Sequence, residues 1–282
     1  MNMKQLATTV MQWSLIMGAV ALVSCGEDDS SPVGPAPTGQ QTTYDLNERA
    51  VDGISGTVSF VEQSDSSTTV LITLMGTPDG GEHPAHIHMN TAAEGGDIII
   101  SLTPVDGGTG ISETNVSADD NGAAVTYSDL LEYDGYVNVH LSADDLGTIV
   151  AQGDIGQNAL TGETKEYTLN EMAVPGISGT ATFAERENGE ALATLALTGT
   201  PDGGEHPAHI HMNTAEEGGD IVFTFVSVDG TTGMSMTNVA MLDDETAFGY
   251  SDVLEYDGYI NVHLSADDLA TLVAQGNIGA NE

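Results

Sequence analysis

From Tyr44 onward, apolar and polar residues alternate with a period of two, and no apolar stripe recurs at helical spacing over a long stretch. The alternation predicts strands over 54–61, 68–75, 86–89, 97–103, 123–130, 135–141 and 148–155. Turn signals fall between them at Pro78-Asp79-Gly80-Gly81, Gly95-Gly96, Asp106-Gly107-Gly108 and Asp134-Gly135. Ser142-Ala143-Asp144-Asp145 is expected to form an N-capped single helical turn before the last strand.

The pattern then repeats. Tyr44–Asn158 aligns without a gap on Tyr167–Asn281 at a constant offset of 123 residues. Roughly two thirds of the aligned positions are identical, which marks an internal duplication. We therefore expect two all-β domains in tandem, 44–158 and 167–282, joined by a polar linker at 159–166 and standing as separate beads. Many short strands in a domain of this size fit an antiparallel Greek-key or immunoglobulin-like sandwich or barrel.

The first residues do not share this pattern. Lys4 precedes a short apolar run from Trp13 to Val23, which reads as a signal peptide over 1–24. Leu22-Val23-Ser24-Cys25 resembles the bacterial lipobox, and on that resemblance Cys25, the only cysteine, becomes the lipidated first residue. Gly26-Glu27-Asp28-Asp29-Ser30-Ser31 resembles the outer-membrane and surface-export signals of Gram-negative lipoproteins. Residues 25–43 read as an acidic tether rich in Pro, Gly and Ser. The expected location is the outer membrane, exposed at the cell surface, with the lipid at Cys25 as the membrane contact.

Charge narrows the function. Four Lys and Arg stand against 43 Asp and Glu, a net charge of −39. So few cations cannot neutralise a phosphate backbone, which excludes nucleic acid as a partner. One cysteine excludes a disulfide framework and a Cys-rich zinc site.

The candidate chemistry lies in eight histidines, four per copy. Alternation puts His86 and His88 on one strand face and Ile87 and Met89 on the other. In the strand around 135–141, His140 shares a face with Tyr136 and Asn138, opposite the apolar Val137, Val139 and Leu141. These His are thus expected on the side away from the core, under loops. If the two strands meet, three imidazoles converge, a set suited to copper or zinc. His209, His211 and His263 repeat the set. His83 and His206 precede a proline and are candidates for a fourth ligand or a supporting group. The Tyr133/Tyr136 and Tyr256/Tyr259 pairs are expected to pack at strand edges with their hydroxyls reaching water.

The order of these motifs resembles the chordin-type (CHRD) domain: Ala85-His86-Ile87-His88, Gly95-Gly96, Tyr136-Val137-Asn138-Val139-His140 and Gln152-Gly153 in the first copy. The second copy has Ala208-His209-Ile210-His211, Gly218-Gly219, Tyr259-Ile260-Asn261-Val262-His263 and Gln275-Gly276. Ala151 and Ala274 stand where that family carries an arginine, and its Gly-Gln order is reversed to Gln-Gly. The resemblance implies an immunoglobulin-like barrel with a distant likeness to Cu/Zn superoxide dismutase, whose copper ligands the His-x-His strand and later Val-His strand look like. The residues that would match the zinc side of that enzyme are missing. Two functions stay open at this point: a non-catalytic module binding an extracellular protein or polysaccharide, with a metal site per copy, or a metalloenzyme using copper or zinc.

Overall fold

The computed structural model describes residues 34–282. The expected signal peptide, Cys25 and the first part of the tether lie outside the described residues.

The first domain is built from β1 (Pro37–Glu48), β2 (Ser55–Gln63), β3 (Thr68–Met75), β4 (Glu82–Met89), β5 (Ile98–Asp106), β6 (Ile111–Val116), a short helix α1 (Tyr127–Leu131), β7 (Asp134–Ser142) and β8 (Asp145–Gly156). The strands form a closed antiparallel barrel in the order β1-β2-β3-β6-β5-β4-β7-β8, a Greek-key arrangement. Pairing of Asn47 with Gln152 and of Glu48 with Ala151 closes it. Closure leaves no free edge for another chain to extend. Alternate residues fill the interior: Val58, Phe60, Ile72, Ile87, Val137, Val139, Val150 and Ile155 are all fully buried.

The second domain repeats the path with β9 (Leu160–Glu171), β10 (Ser178–Arg186), β11 (Ala191–Thr198), β12 (Glu205–His206), β13 (Ala208–Met212), β14 (Ile221–Thr224), β15 (Val228–Asp229), β16 (Met234–Val239), α2 (Tyr250–Glu255), β17 (Asp257–Ser265) and β18 (Asp268–Gly279). Here the counterparts of β4 and β5 are each divided in two, giving a curled ten-stranded sheet. Register is kept: His206 pairs with Val228 and Ile210 with Phe223, as His83 pairs with Val105 and Ile87 with Ile100.

The two interiors hold different residues in matched volumes. Val58, Val70, Ile100, Leu102 and Val125 of the first core become Ala181, Ala193, Phe223, Phe225 and Phe248 in the second, all buried. Alanines on one wall make room for phenylalanines on the other, which keeps the interior filled without strain.

Four local expectations need correction. Residues 37–43 of the expected tether belong to β1, held by pairs such as Gln41 with Val61 and Thr43 with Ser59. Most of the expected linker, 160–166, belongs to β9, so the domains follow one another without a spacer. Residues 123–130 do not form a strand: Ala124 makes only an isolated bridge to Ala118, and the chain then turns into α1. Thr126 caps that helix, its hydroxyl and backbone amide both bonded to Asp129. Finally, 142–145 is a tight hairpin turn rather than a helical one, since Ser142 pairs directly with Asp145.

Nor are the domains separate beads. The Arg186 side chain is fully buried at their junction and bonds the Asp154 carboxylate at 2.7 Å.

The volume match gives a direct test. Ala193→Val alone overfills the second core and should destabilise it by about 1–3 kcal/mol, read from chemical denaturation. A neutral result would show slack space where the structure has none.

Candidate metal centre

β4 lies antiparallel to β7, with Ala85 opposite Val139, His86 opposite Asn138 and His88 opposite Tyr136. This register sends Ala85, Ile87, Val137 and Val139 inward. His86, His88, Tyr136, Asn138 and His140 then share the outer face, as the alternation predicts. A register irregularity just after Val139 lies beside His140 on the β8 side.

The three rings converge. One nitrogen from each of His86, His88 and His140 lies within 4.8 Å of the others, and His209, His211 and His263 do the same. The closest pair is His86 Nδ1 and His140 Nε2 at 3.1 Å, repeated at 3.1 Å by His209 and His263. Metal–nitrogen bonds of about 2.0–2.1 Å put tetrahedral ligands roughly 3.3 Å apart, so small ring movements suffice to seat an ion.

Backbone carbonyls fix the tautomers. His140 Nδ1 donates to the Leu146 carbonyl at 2.7 Å, and His88 Nδ1 donates to the Gly96 carbonyl at 2.9 Å. A carbonyl only accepts, so each Nδ1 carries the proton and each neutral ring turns an Nε2 lone pair toward the cluster. His88 Nε2 is buried there without a hydrogen-bond partner, an unsatisfied acceptor of the sort a metal would occupy. In the second domain the carbonyls of Leu269 and Gly219 do the same work, and Asn261 Nδ2 approaches His211 Nε2 at 3.4 Å.

Supporting residues that the sequence reading did not assign now have positions. Tyr136 stacks on His88 with ring centres 4.8 Å apart, and its hydroxyl accepts from the Gly96 amide at 3.1 Å. It is 4% exposed, so the expected hydroxyl in water is corrected: burial against His88 and the Gly96 bond take its place. Gln152 donates to Asn138 Oδ1 at 2.8 Å, orienting that amide beside the rings. Gly96 is required by close approach, because a Cβ there would lie 2.1 Å from the Met89 carbonyl. The Gly95-Gly96 pair was legible as a turn, but its service to His88 was not.

His83 and His206 are not in the clusters. His83 falls on the inward face with Ala85 and Ile87, is buried, and donates from Nδ1 to the His140 backbone carbonyl at 3.2 Å. His206 does the same to His263 at 3.1 Å. Neither is a fourth ligand; each braces the strand that carries the third one.

Burial dominates the electrostatics. It pushes the His86 and His140 rings below the ordinary imidazole range, with the neighbouring rings adding to the shift. His209 is pushed down to about 4, first by burial, then by His263 and His211, against a smaller opposing effect of Asp243. Neutral rings are ready ligands; protonated ones are not.

No family model, curated protein or solved structure matches the chain.

The pH consequence can be measured. Unfolded, His209 titrates near 6.5; folded, near 4. Between these values the unfolded chain binds more protons, so metal-free protein should lose stability as pH falls from about 6.5 to about 4. Denaturation midpoints at pH 7 and pH 4.5 read this, and His209→Gln should flatten the dependence. Equal midpoints in the unmutated protein would contradict the buried neutral ring.

Proposed function

We propose that this chain is an exported lipoprotein, anchored through Cys25, whose two β-domains each hold one copper or zinc ion on a three-histidine site, and that it works by binding rather than by turnover. The observation that carries the reading is the convergence of three imidazoles, two of them fixed as Nε2 acceptors by the carbonyls of Gly96 in the β4–β5 loop and Leu146 at the start of β8. Three neutral nitrogen ligands suit zinc and copper and leave one position for water or another donor. When bound, the ion supplies positive charge and a coordination position. The chain supplies orientation through Gly96, Leu146, Tyr136 and Gln152, and limited access through the half-buried His86.

Binding is favoured over turnover by the nearby carboxylate. Asp120, whose charge is felt by His86, accepts from the Ser101 amide with one oxygen and from the Ser101 hydroxyl with the other. Asp243 is tied to Thr224 in the same way. General acid–base work on a metal-bound water needs a carboxylate aimed at the open position, and each of these two is instead held by both oxygens to a neighbouring strand residue. The lipobox-like Leu22-Val23-Ser24-Cys25 and the acidic stretch after it support the anchored, surface-exposed placement. The resemblance to the chordin-type domain agrees with a scaffold of this kind.

Full-length chain carrying Cys25→Ser, titrated with zinc or copper and measured by elemental analysis, should retain about two equivalents. His140→Ala should leave about one, and His140→Ala with His263→Ala none. Failure to retain either ion after dialysis would overturn the metal reading. Separately, acyl labelling should mark the unmutated protein and not the Cys25→Ser form; retained label would refute the anchor.

A further inference from the structure

The two domains meet head to tail, so the junction is made of two different surfaces. The rear of the first domain offers the Asp154 carboxylate and the Asn158 carbonyl. The front of the second inserts Arg186, whose Nη1 reaches both, while its Nε donates to Asn238 Oδ1 at 3.0 Å. Asn188 joins them, its backbone amide donating to the Gln157 carbonyl at 3.0 Å and its side-chain amide to Asn158 Oδ1 at 3.4 Å. Arg49 of the rear meets the Met236 sulfur of the front at 3.6 Å.

Because the domains are copies, both surfaces exist a second time, and among the described residues no domain is seated on them. The front of the first domain carries Gln63, Asp65 and Glu113 where the junction has Arg186, Asn188 and Met236. The rear of the second carries Asn277 and Met172 where the junction has Asp154 and Arg49. Backbone geometry is retained at both free ends. Asn277 Oδ1 accepts from the Ala215 amide at 3.0 Å as Asp154 Oδ1 does from Ala92 at 2.7 Å. Ser64 donates to the Ala36 carbonyl at 2.9 Å as Glu187 does to Ala159 at 2.9 Å. What changes is the ion pair. Gln63 spends its amide on Thr69 and Val61 within its own domain, and while Asp65 and Glu113 replace Asn188 and Met236, Ser64 and Ser67 replace Glu187 and Glu190, so the free front keeps its acidic count and loses only its cation.

We infer that these free ends carry the domain-stacking surface in a form that refuses a further domain, so that end-to-end joining to a second copy of this chain stops at the two domains already linked. A head-to-tail contact has no built-in limit and grows into filaments unless something ends it. Here the ending is electrostatic. Without the arginine there is no cation to meet the rear surface, which carries Asn277 in place of Asp154, so nothing offsets the repulsion between copies that each carry 43 acidic residues.

The test moves the free-end residues into the junction. Arg186→Gln/Asn188→Asp/Asp154→Asn reproduces there the set that Gln63, Asp65 and Asn277 already form on folded copies of the same domain, so each barrel should keep its structure. The variant should open the junction. Small-angle X-ray scattering should show a larger radius of gyration, and limited proteolysis a new cleavage near 157–162, while far-UV circular dichroism stays unchanged. The full chain carrying only Cys25→Ser, which removes the lipid, should sediment as a monomer across the accessible concentration range. A variant with unchanged scattering and cleavage would overturn the inference. So would a Cys25→Ser chain whose mass grows with concentration.

Discussion

The register of the β4–β7 ladder is the constraint on which the site depends. Side chains on a strand alternate with a period of two, so a slip of one residue would exchange inner and outer faces. Val137, Val139, Ile87 and Ala85 are fully buried, and turning them out would expose that whole set to water. The hydrophobic interior thus holds the histidines in place without touching them. His86 and His88 end up beside His140 because the residues between them must face inward. The His83 bond to the His140 carbonyl adds a second tie between the same two strands.

Comparison of the two copies separates what the core needs from what the site needs. Interior positions have drifted in volume-matched sets, such as Val70 to Ala193 and Ile100 to Phe223. The outer face has not: His86, His88, Tyr136, Asn138, His140 and Gln152 recur unchanged, as do Gly96 and Leu146, which act only through backbone atoms. A core tolerates exchange when total volume is kept. A cluster of oriented rings does not, because each ring depends on a particular carbonyl or stacking partner. Asp120 and its hydroxyl partner sit between these extremes, with Ser101 becoming Thr224 but both bonds surviving.

Much of this was legible in the sequence, and the failures have physical causes. Strands whose inner residues are apolar, such as β3 and β7, were placed to within a residue or so. β1 was missed because 37–43 is polar throughout; it is a strand through pairing with β2. A clue was present, since Thr38-Gly39 and Thr161-Gly162 stand at the repeat offset, which puts the start of each copy before Tyr44. β6 was missed because its apolar Ile111 faces out while Ser112 and Val116 face in. The α1 segment reads as alternating, yet the Thr126–Asp129 capping pair prevails locally. Strand alternation gave the faces of the three histidines, but not their convergence, which needs the β4–β7 pairing. It could not give Leu146 or Gly96 a role either, because a backbone carbonyl has no signature in residue type.

The charge of the chain bears on what such a site can do. A chain with 43 acidic and four basic residues raises the local concentration of cations around it and lowers that of anions. Carboxylates on that surface are hard, exposed and hydrated, and they hold divalent transition metals loosely compared with imidazole nitrogen. The two three-His groups could hold a metal ion, and such a field raises the concentration of cations around them. The same field opposes the approach of a small anionic substrate, and two of the three basic residues in the described chain are occupied, Lys165 by Glu282 and Arg186 by Asp154. Arg49 lies between the barrels beside Met236, remote in role from the rings. Arg49 is thus the one basic side chain among the described residues without a carboxylate partner, and a ligand that reaches either three-His group from solution does so against this field if it is anionic and with it if it is cationic.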